Sequence, residues 1–108
     1  MIFNLFKSKP SLKELIPEGF VDIHSHILPG IDDGAKNVKE SLLLISEMEK
    51  LGFSKIIATP HSYPGLYENS NESIKKSFLI LKKTNSTNIN IGYAAEYMID
   101  IEIIEKAE

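Results

Sequence analysis

Residues Phe20–Gly34 read FVDIHSHILPGIDDG. Side chains alternate between the two faces of a β-strand. A strand beginning here places Asp22, His24 and His26 on one face, with Val21 and Ile23 on the other. That gives an apolar face for packing helices and a polar face for a site. The chain holds 3 histidines, and two of them lie in this stretch. Taken alone, His-x-His is equally a solvated pair at a strand end. Asp22 is either a partner that orients an imidazole or a structural carboxylate. Asp32 and Asp33 are either ligands or a solvated turn whose charge suits the start of the next helix.

The flanking segments decide the setting. NVKESLLLISEMEKLG, from Asn37, has the spacing of an amphipathic helix, with Val38, Leu42, Ile45 and Met48 on one stripe and Leu44 and Leu51 widening it. Asn37 is a suitable N-cap, Glu40 stands where a capping box needs it, and Gly52 sits where the C-terminal cap belongs. SKIIATP then reads as a second strand ended by Pro60, and HSYPGLYENS as a loop. NESIKKSFLILKKT reads as a second helix with Ile74, Phe78 and Leu81 on one side. NINIGYAAE reads as a third strand, and DIEIIEKAE as a final helix. Before the opening strand, SLKELI forms a short helix stopped by Pro17, and residues 1–10 form a tail. The order β-α-β-α-β-α predicts parallel strands with crossover helices, an α/β fold. Three strands alone leave two sheet edges unpaired, so the pattern reads as the front of a larger barrel or sheet.

Each proposed strand delivers a metal-capable residue at its C-terminal end: His24 and His26, then His61, then Glu96. Active sites of parallel α/β proteins form at that edge. Gly92 and Ala94 share the face of Glu96 and either leave room at a barrel mouth or simply pack tightly. Mixed imidazole and carboxylate donors suit manganese, iron or zinc better than calcium. Several such ions together would hold a phosphate and acidify a water.

Composition narrows the choices. Hydrophobic residues make up 43% and charged residues 25% of 108 residues, which fits one ordinary globular domain. Cysteine is absent, which excludes disulfides, thiolate nucleophiles and cysteine-based zinc sites. All 12 basic residues are lysines and the formal charge is -3, so nucleic acid is not the expected partner. No apolar run is long enough to span a bilayer, and MIFNLFKSKP has too short an apolar stretch for a signal peptide. A cytoplasmic setting without membrane insertion is the expectation.

VDIHSHILPGIDDGAKNVKESL, GFSKIIATPH and AAEYMID closely resemble the polymerase-and-histidinol-phosphatase (PHP) superfamily. Within it, the doubled aspartate before glycine is most similar to the bacterial tyrosine-protein phosphatases that accompany capsule and exopolysaccharide genes. The resemblance covers about residues 19–100. It implies a distorted (β/α) TIM-like barrel and up to three metal ions, usually manganese, with iron, zinc or magnesium as alternatives. It also implies hydrolysis of phosphotyrosine on the tail of a bacterial tyrosine autokinase, and leaves a homo-oligomer open. Carried over, His24, His26, Asp33, His61 and Glu96 match metal ligands, Glu96 bridging two ions, with Asp22 and Asp32 in support. The family pattern continues with a further glutamate, a histidine with a phosphate-binding arginine, and an Asp-x-His pair that do not occur in these residues. The expectation is therefore residues 1–18 as tail and short helix, and 19–108 as the N-terminal portion of a truncated PHP phosphatase domain, weakly active or inactive by itself. Histidinol-phosphate phosphatase, a polymerase-associated nuclease domain and a non-catalytic, self-associating metal-binding remnant are the other readings.

Overall fold

A computed structural model of the chain describes residues 8–108; the first part of the expected tail, residues 1–7, lies outside the described residues. A short helix α1 (Leu12–Leu15) precedes strand β1 (Phe20–Asp22). Helix α2 (Val38–Lys50), strands β2 (Phe53–Ala58) and β3 (His61–Ser62), and helix α3 (Asn71–Thr84) follow. Strands β4 (Asn90–Tyr93) and β5 (Glu96–Tyr97) and helix α4 (Ile101–Ala107) complete the order. The strands form a three-stranded sheet β1-β2-β4 and a two-stranded sheet β3-β5, with every pairing parallel. The α/β class expected from the sequence is thus observed.

Local chemistry explains the helix boundaries. Asn37 Oδ1 accepts the Glu40 N–H at 2.9 Å and caps α2, an arrangement worth about 1 kcal/mol. Glu40 does not complete the expected capping box. Its carboxylate accepts the Lys36 N–H at 2.8 Å, one residue before the cap. Gly52 follows the last turn at φ +101°, a left-handed conformation that glycine adopts without steric cost. Full capping boxes occur instead at α1, between Ser11 and Glu14, and at α3, between Ser70 and Ser73.

The core lies between the sheet and the two long helices. Ile56, Ala58 and Ile91 from β2 and β4 pack with Ile45 of α2 and Ile74, Phe78 and Leu81 of α3. Burying each large aliphatic side chain contributes about 1.5–3 kcal/mol. In the β1–β2 register Asp22 stands beside buried Ile56 and Val21 beside Lys55, so strand alternation turns Val21 and Ile23 to the face away from the helices. Val21 and Ile23, expected to pack under helices, are exposed, Ile23 by 74%. Gly92 resolves to tight packing: a Cβ there would stand 2.9 Å from Ile57 Cδ1, on the neighbouring strand.

Two strands are shorter than the sequence suggests. The second stops at Ala58, because Pro60 has no N–H to donate, and resumes as β3. His61 therefore lies in a strand rather than in the expected loop. The third breaks at Ala94–Ala95 and resumes as β5. Backbone bonds from Ala94 N to Ala58 O and from Glu96 N to Pro60 O, both 2.8 Å, carry the pairing across the break. They set the register that places His61 opposite Glu96.

Candidate metal centre

The opening strand ends at Asp22, yet the chain stays beside β2. Thr59 N donates to Ser25 O at 2.7 Å, and Ser25 N donates to Thr59 Oγ1 at 3.1 Å. The Ser25 hydroxyl donates to Ile57 O at 3.3 Å. Ser25 thus faces β2, and its neighbours His24 and His26 turn toward the C-terminal ends of the strands. The chain then loops back on itself: Ala35 N donates to His26 O at 3.1 Å, and Gly30 N donates to Ala35 O at 2.8 Å. Gly34 lies against the His26 backbone, where an added Cβ would come within 2.0 Å of His26 O. Only glycine permits that approach, which explains the residue after the two aspartates.

Two groups of donors result. His24, His26 and Glu96 form one, and His26, Asp32, Asp33 and His61 the other, with the candidate ligand atoms of each within 4.8 Å of one another. The groups adjoin through Glu96. Its Oε2 stands 3.3 Å from His24 Nε2, 3.2 Å from His26 Nε2 and 3.2 Å from His61 Nδ1. His61 Nε2 lies 3.2 Å from Asp33 Oδ1. All five residues singled out as ligands in the sequence are therefore brought together.

Asp32 is fully buried as a side chain and organises this arrangement. Its Oδ2 lies 2.8 Å from His26 Nδ1 and accepts the His61 N–H at 3.0 Å, while Oδ1 accepts the Gly34 N–H at 2.9 Å. Burial opposes its ionisation, but His26 and the two backbone donors outweigh that and hold the carboxyl below its ordinary range. An ionised carboxylate only accepts, so His26 Nδ1 carries the proton toward Asp32, which leaves Nε2, 3.2 Å from Glu96 Oε2, as the nitrogen that would ligate a metal. Asp22 lies outside both groups. It accepts the His24 N–H at 3.2 Å, and among the described residues it makes no hydrogen bond or ion pair with an imidazole.

The donor set fits a metal ion. Glu96 Oε2 and His61 Nδ1 are buried, and among the described residues neither has a hydrogen-bond partner. Three imidazole nitrogens converge on Glu96 Oε2 at 3.2–3.3 Å, a spacing in which one cation would satisfy nitrogens and carboxylate together. Ligands about 2.1 Å from a shared ion at near-right angles stand about 3 Å apart, close to the separations here.

Sequence reasoning missed three residues. The Tyr63 hydroxyl donates to Glu96 Oε1 at 3.0 Å. Burial, then Glu96 itself, push the Tyr63 phenol up, while Glu96 is held below its ordinary range by Tyr63 and the three imidazoles against the opposing effect of burial. The Tyr67 ring stacks on His61 at 5.5 Å between centroids. Asn69 Nδ2 donates to Ile31 O at 2.7 Å and His61 O at 2.9 Å, tying the aspartate loop to β3. The segment HSYPGLYENS carries no hydropathy period, so only its tyrosines and Asn69 themselves could have drawn attention. A concavity of about 620 Å³ runs beside α2 along Leu43, Leu44 and Met48. His26 and Asp33 of the cluster are among its lining residues.

Fold and site together define an α/β protein whose parallel strand ends gather imidazoles and carboxylates, a donor set suited to first-row transition metals. The chain belongs to the CpsB/CapC family of capsular polysaccharide synthesis, which residues 20–108 match. It is 35% identical over 91 residues to the tyrosine-protein phosphatase CpsB of Streptococcus pneumoniae, covering 82% of this chain and 37% of that protein. It is 36% identical over 89 residues to CpsB of Streptococcus agalactiae, covering 80% and 37%. It is 39% identical over 57 residues to the tyrosine-protein phosphatase YwqE of Bacillus subtilis, covering 53% and 22%. The chain thus spans 37% or less of the length of these curated relatives. Among the described residues no helix is long and apolar enough to cross a membrane.

Proposed function

We propose that this chain forms one wall of a metal-dependent protein-tyrosine phosphatase of the PHP type, the sheet being the first part of a distorted (β/α) barrel. The observation that carries the reading is Glu96 Oε2 among three imidazole nitrogens at 3.2–3.3 Å, without a hydrogen-bond partner among the described residues. His24, His26 and Glu96 would hold one ion and Asp33 and His61 another, with Glu96 between them. Manganese is the proposed ion, up to three in a complete site, with iron, zinc or magnesium as alternatives. When bound, such ions supply Lewis-acid charge to phosphate oxygens and acidify water.

The chain's own residues prepare that site. Asp32 fixes the His26 tautomer, and Gly34 lets the aspartate loop close on the His26 backbone. No cysteine is present to serve as a nucleophile. The names of the relatives support a phosphotyrosine protein as substrate. The specific proposal is a cytoplasmic enzyme acting on the tail of a bacterial tyrosine autokinase that controls capsule or exopolysaccharide synthesis.

These 108 residues provide five ligands and no arginine to grip phosphate bidentately, so alone they are expected to turn over substrate poorly. Manganese titration of the chain, followed by assay on a phosphotyrosine peptide and on p-nitrophenyl phosphate, tests both statements. Binding that disappears in Glu96→Ala, with little turnover, is expected. Failure to bind any of the four metals would overturn the metal-centre reading, and turnover equal to that of the pneumococcal relative would overturn the incompleteness of the site.

The exposed edge of β1, with Phe20, Val21 and Ile23 uncovered, favours a second reading: a metal-binding fragment that self-associates through its sheet edge. Size-exclusion chromatography separates the two, since a metal-loaded monomer excludes self-association.

A further inference from the structure

Glu96 offers one oxygen to the three imidazoles; the other, Oε1, is taken by Tyr63. Among the described residues no other donor reaches the Glu96 side chain. The fold makes this pairing specific. Parallel register places His61 opposite Glu96, and strand alternation brings Tyr63, two residues on, back to the side of His61. The Tyr63 ring packs on the His61 ring at 4.5 Å between centroids. A tight turn holds the tyrosine in place: Tyr63 N donates to Tyr67 O at 2.7 Å and Tyr67 N donates to Tyr63 O at 3.0 Å, around Gly65 at φ +76°.

We propose that Tyr63 is a positioning residue for the metal centre: its hydroxyl fixes the Glu96 carboxylate so that Oε2 faces His24, His26 and His61. The inference rests on the metal-centre reading. A glutamate has three side-chain torsions, and without an anchor its carboxylate would sample rotamers that carry Oε2 away from the imidazoles. Hydrogen bonds to ligating carboxylates orient them, and loss of such a partner costs about 10- to 100-fold in metal affinity. Tyr63 would touch neither ion nor substrate.

The test is manganese or cobalt titration of the chain and of Tyr63→Phe, which removes the hydroxyl and keeps the ring on His61. Affinity lower by about 10- to 100-fold is expected, with an altered cobalt visible spectrum and an unchanged melting temperature in EDTA. A purely structural role would lower the melting temperature in EDTA and leave the cobalt spectrum of the folded protein as in the parent, and that result would overturn the proposal. Equal affinity and spectrum in the variant would overturn it as well, while leaving the metal centre intact. No binding by the parent chain would instead remove the metal-centre reading on which it rests.

Discussion

Asp32 Oδ2 stands 2.8 Å from His26 Nδ1 with the Asp32 side chain fully buried. The same carboxylate accepts the backbone N–H groups of His61 and Gly34. One side chain therefore fixes a ring, a strand end and a loop. Replacing it with asparagine puts an amide in a site that requires an acceptor at both oxygens. Asp32→Asn is expected to destabilise the chain by about 1–3 kcal/mol and to lower metal affinity about 10- to 100-fold. Urea denaturation and manganese titration measure the two effects. A variant with parental affinity would show that Asp32 does not orient His26.

The same carboxylate gives a pH dependence with a defined sign. Its folded pKa lies below the ordinary value of 3.8. The stabilisation is thus fully present above 3.8 and is lost as the pH falls through the lowered folded value. Acid unfolding followed by circular dichroism should show stability dropping below about pH 4. Asp32→Asn should flatten that segment of the curve, and an unchanged slope would count against the assignment.

Gly34→Ala and Gly65→Ala separate close approach from backbone strain. At Gly34 the new Cβ would meet His26 O and His26 Cβ, so loop and histidine must shift. A cost of about 1–3 kcal/mol or more is expected, together with impaired metal binding. At Gly65 nothing lies within 4 Å, but φ is +76°. There the expected cost is about 1 kcal/mol of strain, with a smaller effect on binding. Thermal melts and metal titration of both variants check the contrast.

The face presented by α2 can be tested directly. Ile45 is fully buried in the core, whereas Leu43 is 62% exposed. Ile45→Ala should cost about 2–5 kcal/mol and Leu43→Ala less than about 0.5 kcal/mol. Chemical denaturation of the two variants gives the comparison, and similar losses would mean that the helix is rotated from the position described.

Both long helices were legible because burial repeats along them at helical spacing and Asn37 and Gly52 mark the ends of α2. Four candidate ligands were legible too: His24, His26, His61 and Glu96 each end or follow an apolar run that reads as a strand, whereas Asp33 stands in a loop and was marked only by the family resemblance. Less was visible at the breaks. Pro60 announced an end to the second strand but not its resumption at His61, since a two-residue strand exists only through its partner. Val21 and Ile23 carried the pattern of a helix-covered face and are exposed, because the register sets Asp22 beside the buried Ile56 and turns them to the other side of the sheet.

The sequence by itself determined the α/β order, the capped helices and the residue types able to hold a metal. These follow from short-range rules: side-chain period, cap chemistry, and the missing N–H of proline. Only the tertiary structure decided that Asp32 rather than Asp22 meets an imidazole, that Glu96 Oε2 lies among all three histidines, and that Tyr63 holds the other oxygen. Each of these depends on the register between segments distant along the chain. That register is set by the backbone bonds across Pro60 and Ala94 and by the fit of Gly34 against His26, contacts that local pattern does not encode.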